Sequence, residues 1–413
     1  MNILVVSQYF WPEPFRINDL CDGLVDKGHN VTVLTGEPNY PEGAIYTDYL
    51  NDKSDYVKYN GCKVIRCRII PRGKGGGIRL MLNYLSFVFT ACFKVFFQLR
   101  KTKFDVVFVC QLSPATVALP AIFYKFLTKT PIVMWVLDLW PESLKEAGGI
   151  NNPIILSSVG KLMNYIYSRC DLVLTQSKQF KNEILDRVNH RRVEYFPNWA
   201  EDLFSDKSSP SICKLNKKLD SLNILFAGNI GESQDFPTVV EAFKIVKQRQ
   251  IKVKLHIVGD GRSLEYLKNE VKCHELNEYI EFYGRYPLEE MPSFFDFADV
   301  CLVNLKDSEA FSKTLPGKVQ TYLASGKPIL AALNGEGANI ILESKAGLVS
   351  NSGDYTKLAE NIEKMCSYSS EQLDFLGVKA KEYSDINYSR ENLLNTLVEK
   401  MRSVFKKNSK ESS

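Results

Sequence analysis

At 413 residues the chain exceeds what one hydrophobic core usually serves, so two domains are expected. Hydrophobic residues at 45% and charged residues at 24% exclude a largely disordered chain and a polytopic membrane protein. The formal net charge of +4 names no partner, but it is uneven: eleven Lys and Arg and no Asp or Glu lie between Tyr56 and Phe104, so that stretch carries +11 and the remainder −7.

In chain order, the first seven residues read as a buried strand, since Met1–Ser7 lacks the basic start and cleavage site of a signal peptide. Further β-branched apolar runs predict strands at 30–35, 62–70, 104–110, 131–137 and 171–175. Helices are expected from near Asn18, from near Ile78 and after Gln176. The pattern restarts with strands at 222–228, 252–258, 279–283, 299–303 and 328–332, again alternating with helices. Such alternation is the mark of parallel α/β construction. Between the halves, Asn198–Ser221 is polar and aperiodic and reads as a linker. Two doubly wound domains follow, with ligands expected beyond the carboxyl ends of their strands and in a cleft between them.

The helix expected over 78–100 is apolar from Leu80 to Phe97 except for Asn83, Ser86, Thr90 and Lys94. It falls just short of the roughly 20 apolar residues of a membrane span. Three readings stay open: a core helix, a helix at the bilayer interface, and a marginal span. Its basic flanks suit anionic lipid. The basic stretch contains no nucleic-acid-binding module, so no nucleic acid is expected as partner. Ten cysteines without a CxxC pair, and four histidines, read as free thiols in a reducing cytoplasm, with no metal site expected.

Two segments carry anion chemistry. Gly228-Asn229-Ile230-Gly231 follows a strand and precedes a helix, where glycine lets backbone amides reach a phosphate. Standing alone, such a turn is as often structural, and Val258-Gly259-Asp260-Gly261 reads as a turn only. From Pro316 to Gly326 a short helix is predicted, with Thr314 and Lys318 at its start. A cation in a first helical turn opposes the macrodipole unless an anion is present.

These motifs, followed by Phe282-Tyr283-Gly284-Arg285 and PGKVQTYLASGKPI from Pro316 to Ile329, resemble the donor domain of family-four retaining glycosyltransferases. In the first half, Gln8–Glu13, Thr35-Gly36-Glu37-Pro38-Asn39-Tyr40-Pro41 and Asp138-Leu139-Trp140-Pro141-Glu142 resemble the WbuB-like branch, which builds O-antigen, capsule and colanic-acid repeat units. The likeness runs from Ile3 to about Val404. It implies a GT-B fold: an acceptor- and membrane-facing Rossmann-like domain over 1–200, a linker over 201–221, and a donor domain over 222–389. Residues 390–413 would be a helix crossing back to the first domain, with a polar tail.

The resemblance implies donor binding by Gly228, Asn229, Gly231, Gln234, Arg285, Lys313, Thr314, Lys318, Gln320 and Thr321. The family's E-x7-E pair is missing, since Lys313 and Thr321 stand in its places. Glu309 is a substitute for the first acid from outside the motif. Asp138 and Glu142 are the candidate catalytic carboxylates, with a helix cap as the plain alternative for Asp138. Glu13 and Arg16 replace the glycine-rich loop that relatives use toward acceptor or phosphate. The donor implied is a nucleotide-diphosphate sugar, UDP-linked, with no cofactor or metal. The acceptor implied is an undecaprenyl-diphosphate-linked saccharide, with residues 56–104 on the anionic inner face of the bacterial cytoplasmic membrane. A nucleotide-sugar 2-epimerase and a non-catalytic nucleotide-sugar-binding scaffold remain as alternatives.

Overall fold

A computed structural model describes residues 1–146, 149–190, 192–200 and 221–411. Of the expected linker, residues 201–220 therefore lie outside the described residues, as does the end of the polar tail. The chain forms two compact units, one of Met1–Phe196 with Glu391–Ser413 and one of Pro197–Arg390.

The first unit is built on β1 (Asn2–Val6), β2 (Asn30–Gly36), β3 (Lys58–Tyr59), β4 (Cys62–Cys67), β5 (Val106–Gln111), β6 (Ile132–Val136), β7 (Leu172–Thr175) and β8 (Val193–Tyr195). They lie in the order β3-β4-β2-β1-β5-β6-β7-β8. All neighbours are parallel except β3 with β4. β1, β5 and β6 are apolar on both faces because helices cover both, as parallel sheets require. Strand order reverses beside β1, which opens a crevice at its carboxyl end. Strands β3 and β8 escaped the sequence pattern, being two and three residues long.

The second unit holds β9 (Leu222–Ala227), β10 (Val253–Val258), β11 (Ile280–Gly284), β12 (Val300–Asn304), β13 (Ile329–Ala332) and β14 (Gly347–Ser350). All are parallel, in the order β11-β10-β9-β12-β13-β14, with the reversal beside β9. β14 also went unpredicted, since its four residues, Gly347-Leu348-Val349-Ser350, carry too little periodicity. Both units are thus doubly wound α/β sheets.

On one face of the first sheet, the helices Gly77–Lys94, Leu119–Thr128 and Pro153–Arg169 share a core with Leu4, Val6, Val107, Val109, Ile132 and Met134. The first contributes a seam of Asn83, Phe87 and Ala91, spaced by four. It continues as a π turn over Val95–Leu99, closed by the Arg100 amide donating to the Val95 carbonyl at 2.8 Å. Its outward side is open: Ile78 is 75% exposed, Phe89 72%, Phe93 61% and Phe97 63%.

The basic stretch is not one continuous surface, which corrects the simple charge count. Arg66 turns inward, donating to the Gly36 carbonyl at 3.1 Å and to that of Trp11. Arg72 lies over the Tyr40 ring at 4.9 Å. Arg68 and Arg79 remain exposed. The C-terminal helix Arg390–Glu411 belongs to the first unit, where Leu394, Leu397 and Met401 are fully buried. Lys27 pairs with its Glu391 at 2.5 Å, and Glu194 pairs with its Lys400. The nine cysteines among the described residues are all free thiols.

Candidate active site

In the second unit, three glycine turns stack at the carboxyl ends of β9, β10 and β11. The Gly228 amide donates to the Val258 carbonyl at 2.9 Å, Ile230 to Asp260 at 2.9 Å, and Gly259 to Gly284 at 2.7 Å. Gly228 and Gly259 hold φ of +138° and +144°, and a β-carbon on Gly259 would stand 1.8 Å from the Gly228 carbonyl oxygen. The second turn is therefore part of the scaffold and not a bystander. Within the first turn, alternate amides are committed to carbonyls, while those of Asn229 and Gly231 have no backbone acceptor among the described residues.

Against this platform comes the helix Gly317–Ala324, with Pro316 as its N-cap and Gly326 past its end at φ +66°. Lys318, in the first turn, slides over Gly228, where a β-carbon would lie 2.6 Å from the lysine Cε. Its ammonium sits 4.3 Å from the centre of the Phe226 ring and donates to Gln234 Oε1. Loss of water around it lowers its pKa to about 7. No carboxylate pairs with it among the described residues. A half-buried cation whose one hydrogen-bonding neighbour among the described residues is a neutral amide is suited to an anion.

The remaining donor candidates divide. Gln234 joins Lys318 and is fixed through its carbonyl by Asn304 of β12. Asn229 and Arg285 are exposed at the same strand ends. Lys313 is paired with Glu309 at 2.8 Å, so the two outside candidates for cation and carboxylate neutralise each other. Thr314 donates to the Ala310 carbonyl at 2.9 Å. Thr321 is half-buried on the short helix, whereas Gln320 is buried and donates to the Asn198 carbonyl. Gln320 thus holds the chain where it enters this unit.

Two residues that the motifs did not single out lie at neighbouring strand ends. Asn304 is fully buried, and its Oδ1 has no hydrogen-bond partner among the described residues. Glu336 is 4% exposed in the first turn of the helix Glu336–Ser344, preceded by Gly335 at φ +74°. A polar residue closing an apolar strand, as in Cys301-Leu302-Val303-Asn304, was the available signal.

In the first unit, Glu13 is 0% exposed. Its carboxylate accepts from the amides of Phe10 at 3.2 Å, Asn39 at 2.8 Å and Tyr40 at 2.7 Å. Burial raises its pKa, and the three amides oppose that shift. Glu13 therefore ties the loop after β1 to the loop after β2. Arg16 begins the helix Arg16–Asp26 and is half-buried. Around them Tyr9 and Phe15 stack at 5.2 Å, and Phe15 meets Tyr40 at 5.1 Å.

Asp138 follows β6 and accepts from Trp140 Nε1 at 3.0 Å and from the Ser143 hydroxyl. Burial pushes its pKa above the usual range. Glu142 opens the helix Glu142–Glu146 and pairs with Arg187, which also binds Glu183 at 2.9 Å and the Trp140 carbonyl at 2.9 Å. Both carboxylates shape the Asp138–Glu142 turn at the strand end.

Two family models match the chain in succession: a glycosyl transferase 4-like domain over residues 15–199 and glycosyl transferases group 1 over residues 221–367. The chain belongs to this family of glycosyltransferases, with the GT-B fold. Among curated relatives, it is 25% identical over 347 residues to WcaI of Escherichia coli, a glycosyl transferase assigned to colanic acid biosynthesis. That match covers 79% of this chain and 82% of WcaI. It is 24% identical to the lipopolysaccharide 1,2-N-acetylglucosaminetransferase of Salmonella typhimurium, over 47% of this chain and 51% of the relative. Among solved structures, sucrose-phosphate synthase from Thermosynechococcus elongatus superposes with a TM-score of 0.72 at 14% identity, covering 98% and 99% of the two chains. Anabaena HepE in complex with UDP and glucose gives 0.66 at 14% identity, covering 98% and 100%.

Proposed function

We propose that the protein is a retaining glycosyltransferase of bacterial surface polysaccharide synthesis. It moves a sugar, an N-acetylated hexosamine or deoxyhexosamine, from a UDP-linked donor to an undecaprenyl-diphosphate-linked saccharide. The observation that carries this reading is the desolvated Lys318 ammonium over the Gly228 turn, with Gln234 as its hydrogen-bond partner. A donor diphosphate would supply the missing counter-charge there, with the amides of Asn229 and Gly231, which have no backbone acceptor among the described residues, beside it. As the C1–oxygen bond to the diphosphate breaks, the acceptor hydroxyl bonds to C1 on the same face and gives its proton to a leaving phosphate oxygen. The names of the colanic-acid and lipopolysaccharide relatives support the pathway class. A lipid-linked acceptor places the enzyme peripherally on the cytoplasmic face of the membrane.

The test is a panel of nucleotide sugars assayed against a lipid-linked saccharide. Transfer from a UDP sugar with the α-configuration kept is expected. Interconversion of free nucleotide sugars would favour the 2-epimerase, and donor binding with no turnover of any acceptor would favour the scaffold.

A further inference from the structure

We propose that the helices Gly77–Lys94, Leu119–Thr128 and Pro153–Arg169 form one surface that lies flat on an anionic bilayer, phenylalanines in the acyl boundary and a cation from each helix on lipid phosphate. This deepens the peripheral placement above and rests on it.

Residues 77–100, 115–129 and 153–169 contain no Asp or Glu. An ordinary solvated helix layer mixes both signs of charge. Here the outward positions are apolar, basic or, as at Gln98, Ser157, Ser158 and Ser168, polar without charge. Beyond Ile78, Phe89, Phe93 and Phe97, the second helix exposes Phe126 at 72% and the third Ile154 at 75%. All three helices are fixed to the same sheet face by a single core, so their outer sides form one layer.

The cations sit where such a surface needs them. Each helix links the end of one parallel strand to the start of another, so all three run in the same direction and end at the same edge. At that edge Arg100 lies 4.4 Å from the Phe96 ring, Lys129 5.9 Å from Phe126, and Arg169 5.1 Å from Tyr165. None of the three pairs with a carboxylate among the described residues. Lys125 is different, being paired with Asp171 at 2.6 Å. A cation resting on an aromatic ring puts its charge at headgroup level while the ring enters the apolar boundary. Arg79 is exposed at the opposite end of the first helix.

The geometry separates lying flat from crossing. Residues 77–99 are long and apolar enough to span, their most apolar 18-residue window having a mean hydropathy of 1.7. A span would have to pull Phe87, Ala91, Val95 and Leu99, all at most 3% exposed, out of the core. Withdrawing each large side chain forfeits about 1.5–3 kcal/mol of burial. The exposed row from Ile78 to Phe97 runs about 28 Å along the helix at ~1.5 Å per residue, parallel to the layer.

The full chain is sedimented with phosphatidylcholine vesicles, with and without phosphatidylglycerol. Binding is expected only with the anionic lipid. It should fall about tenfold or more for Phe89→Ser with Phe93→Ser and Phe97→Ser, given the apolar area removed. It should also fall for Phe126→Ser alone, and for charge reversal at Arg100, Lys129 and Arg169. A Phe93→Trp variant, read against the native tryptophans, should be quenched more by bromines near the headgroup than by bromines near the bilayer centre. The inference is overturned if the wild type stays in the supernatant, if the serine variants bind unchanged, if deep bromines quench best, or if the substitutions instead dissociate a lipid-free dimer. Thermal melting and UDP titration without lipid accompany each variant. Vesicle binding without any nucleotide binding would remove the glycosyltransferase reading alone, whereas nucleotide binding without vesicle binding would remove this inference alone.

Discussion

Lys318 lies in the first turn of the helix Gly317–Ala324 with its ammonium half out of water, its pKa lowered to about 7. Above that pH the free side chain is increasingly neutral, so an incoming diphosphate must recruit a proton to it. Affinity for the nucleotide diphosphate is therefore expected to weaken as pH rises above about 7, by up to about tenfold per unit, with proton uptake on binding. Calorimetry in buffers of different ionisation enthalpy reads that uptake. Lys318→Met should abolish it and weaken binding about 10–100-fold, as for a lost charge-assisted hydrogen bond. A pH-independent affinity would remove Lys318 from the phosphate site. The glycines beside it differ among themselves in a testable way. Gly259→Ala puts a β-carbon into the Gly228 carbonyl and should cost about 3 kcal/mol or more. Gly284→Ala, at φ +76° with open space around it, should cost only ~1–2 kcal/mol. Denaturant melts of the two variants give the comparison.

At the scale of elements, the turn after β6 is held by charge as much as by chain. Asp138 accepts from Trp140 and Ser143, and Arg187 ties Glu142 to the Trp140 carbonyl. Asp138→Ala is expected to lose about 1 kcal/mol of stability, as for a missing cap, and to slow transfer by loosening the turn. Asp138→Asn keeps an acceptor oxygen and should restore most of both. If Asn instead transfers as slowly as Ala while melting like wild type, Asp138 acts on substrate. The same scale shows where sequence reading stopped. The short helix after Pro316 and the turn at Gly228 were legible, because proline and glycine announce backbone geometry locally. The ion pair of Lys313 with Glu309, and the burial of Glu13 and Gln320, were not. Each depends on which neighbouring loop or segment the side chain meets.

At the scale of the molecule, the last helix stabilises a unit whose other residues end nearly two hundred positions earlier in the chain. Leu394, Leu397 and Met401 are each fully buried in that unit. Removing residues 391–413 should lower its melting temperature and expose apolar surface, since each such side chain contributes about 1.5–3 kcal/mol. The melting of the second unit should be unchanged. A truncated protein that melts as wild type would show the helix to be dispensable.

The sequence by itself determined the two α/β units, the order of nearly all their strands along the chain, and the glycine turns at the strand ends, because apolar periodicity and glycine or proline placement are local properties. It also carried the glycosyltransferase motifs. Tertiary structure decided which charges are usable. It drew Arg66 inward, neutralised Lys313, left Lys318 with a neutral amide partner, and aligned three helices distant in sequence into one acid-free layer. Charge and burial depend on neighbours brought together by folding, and no count along the chain contains them.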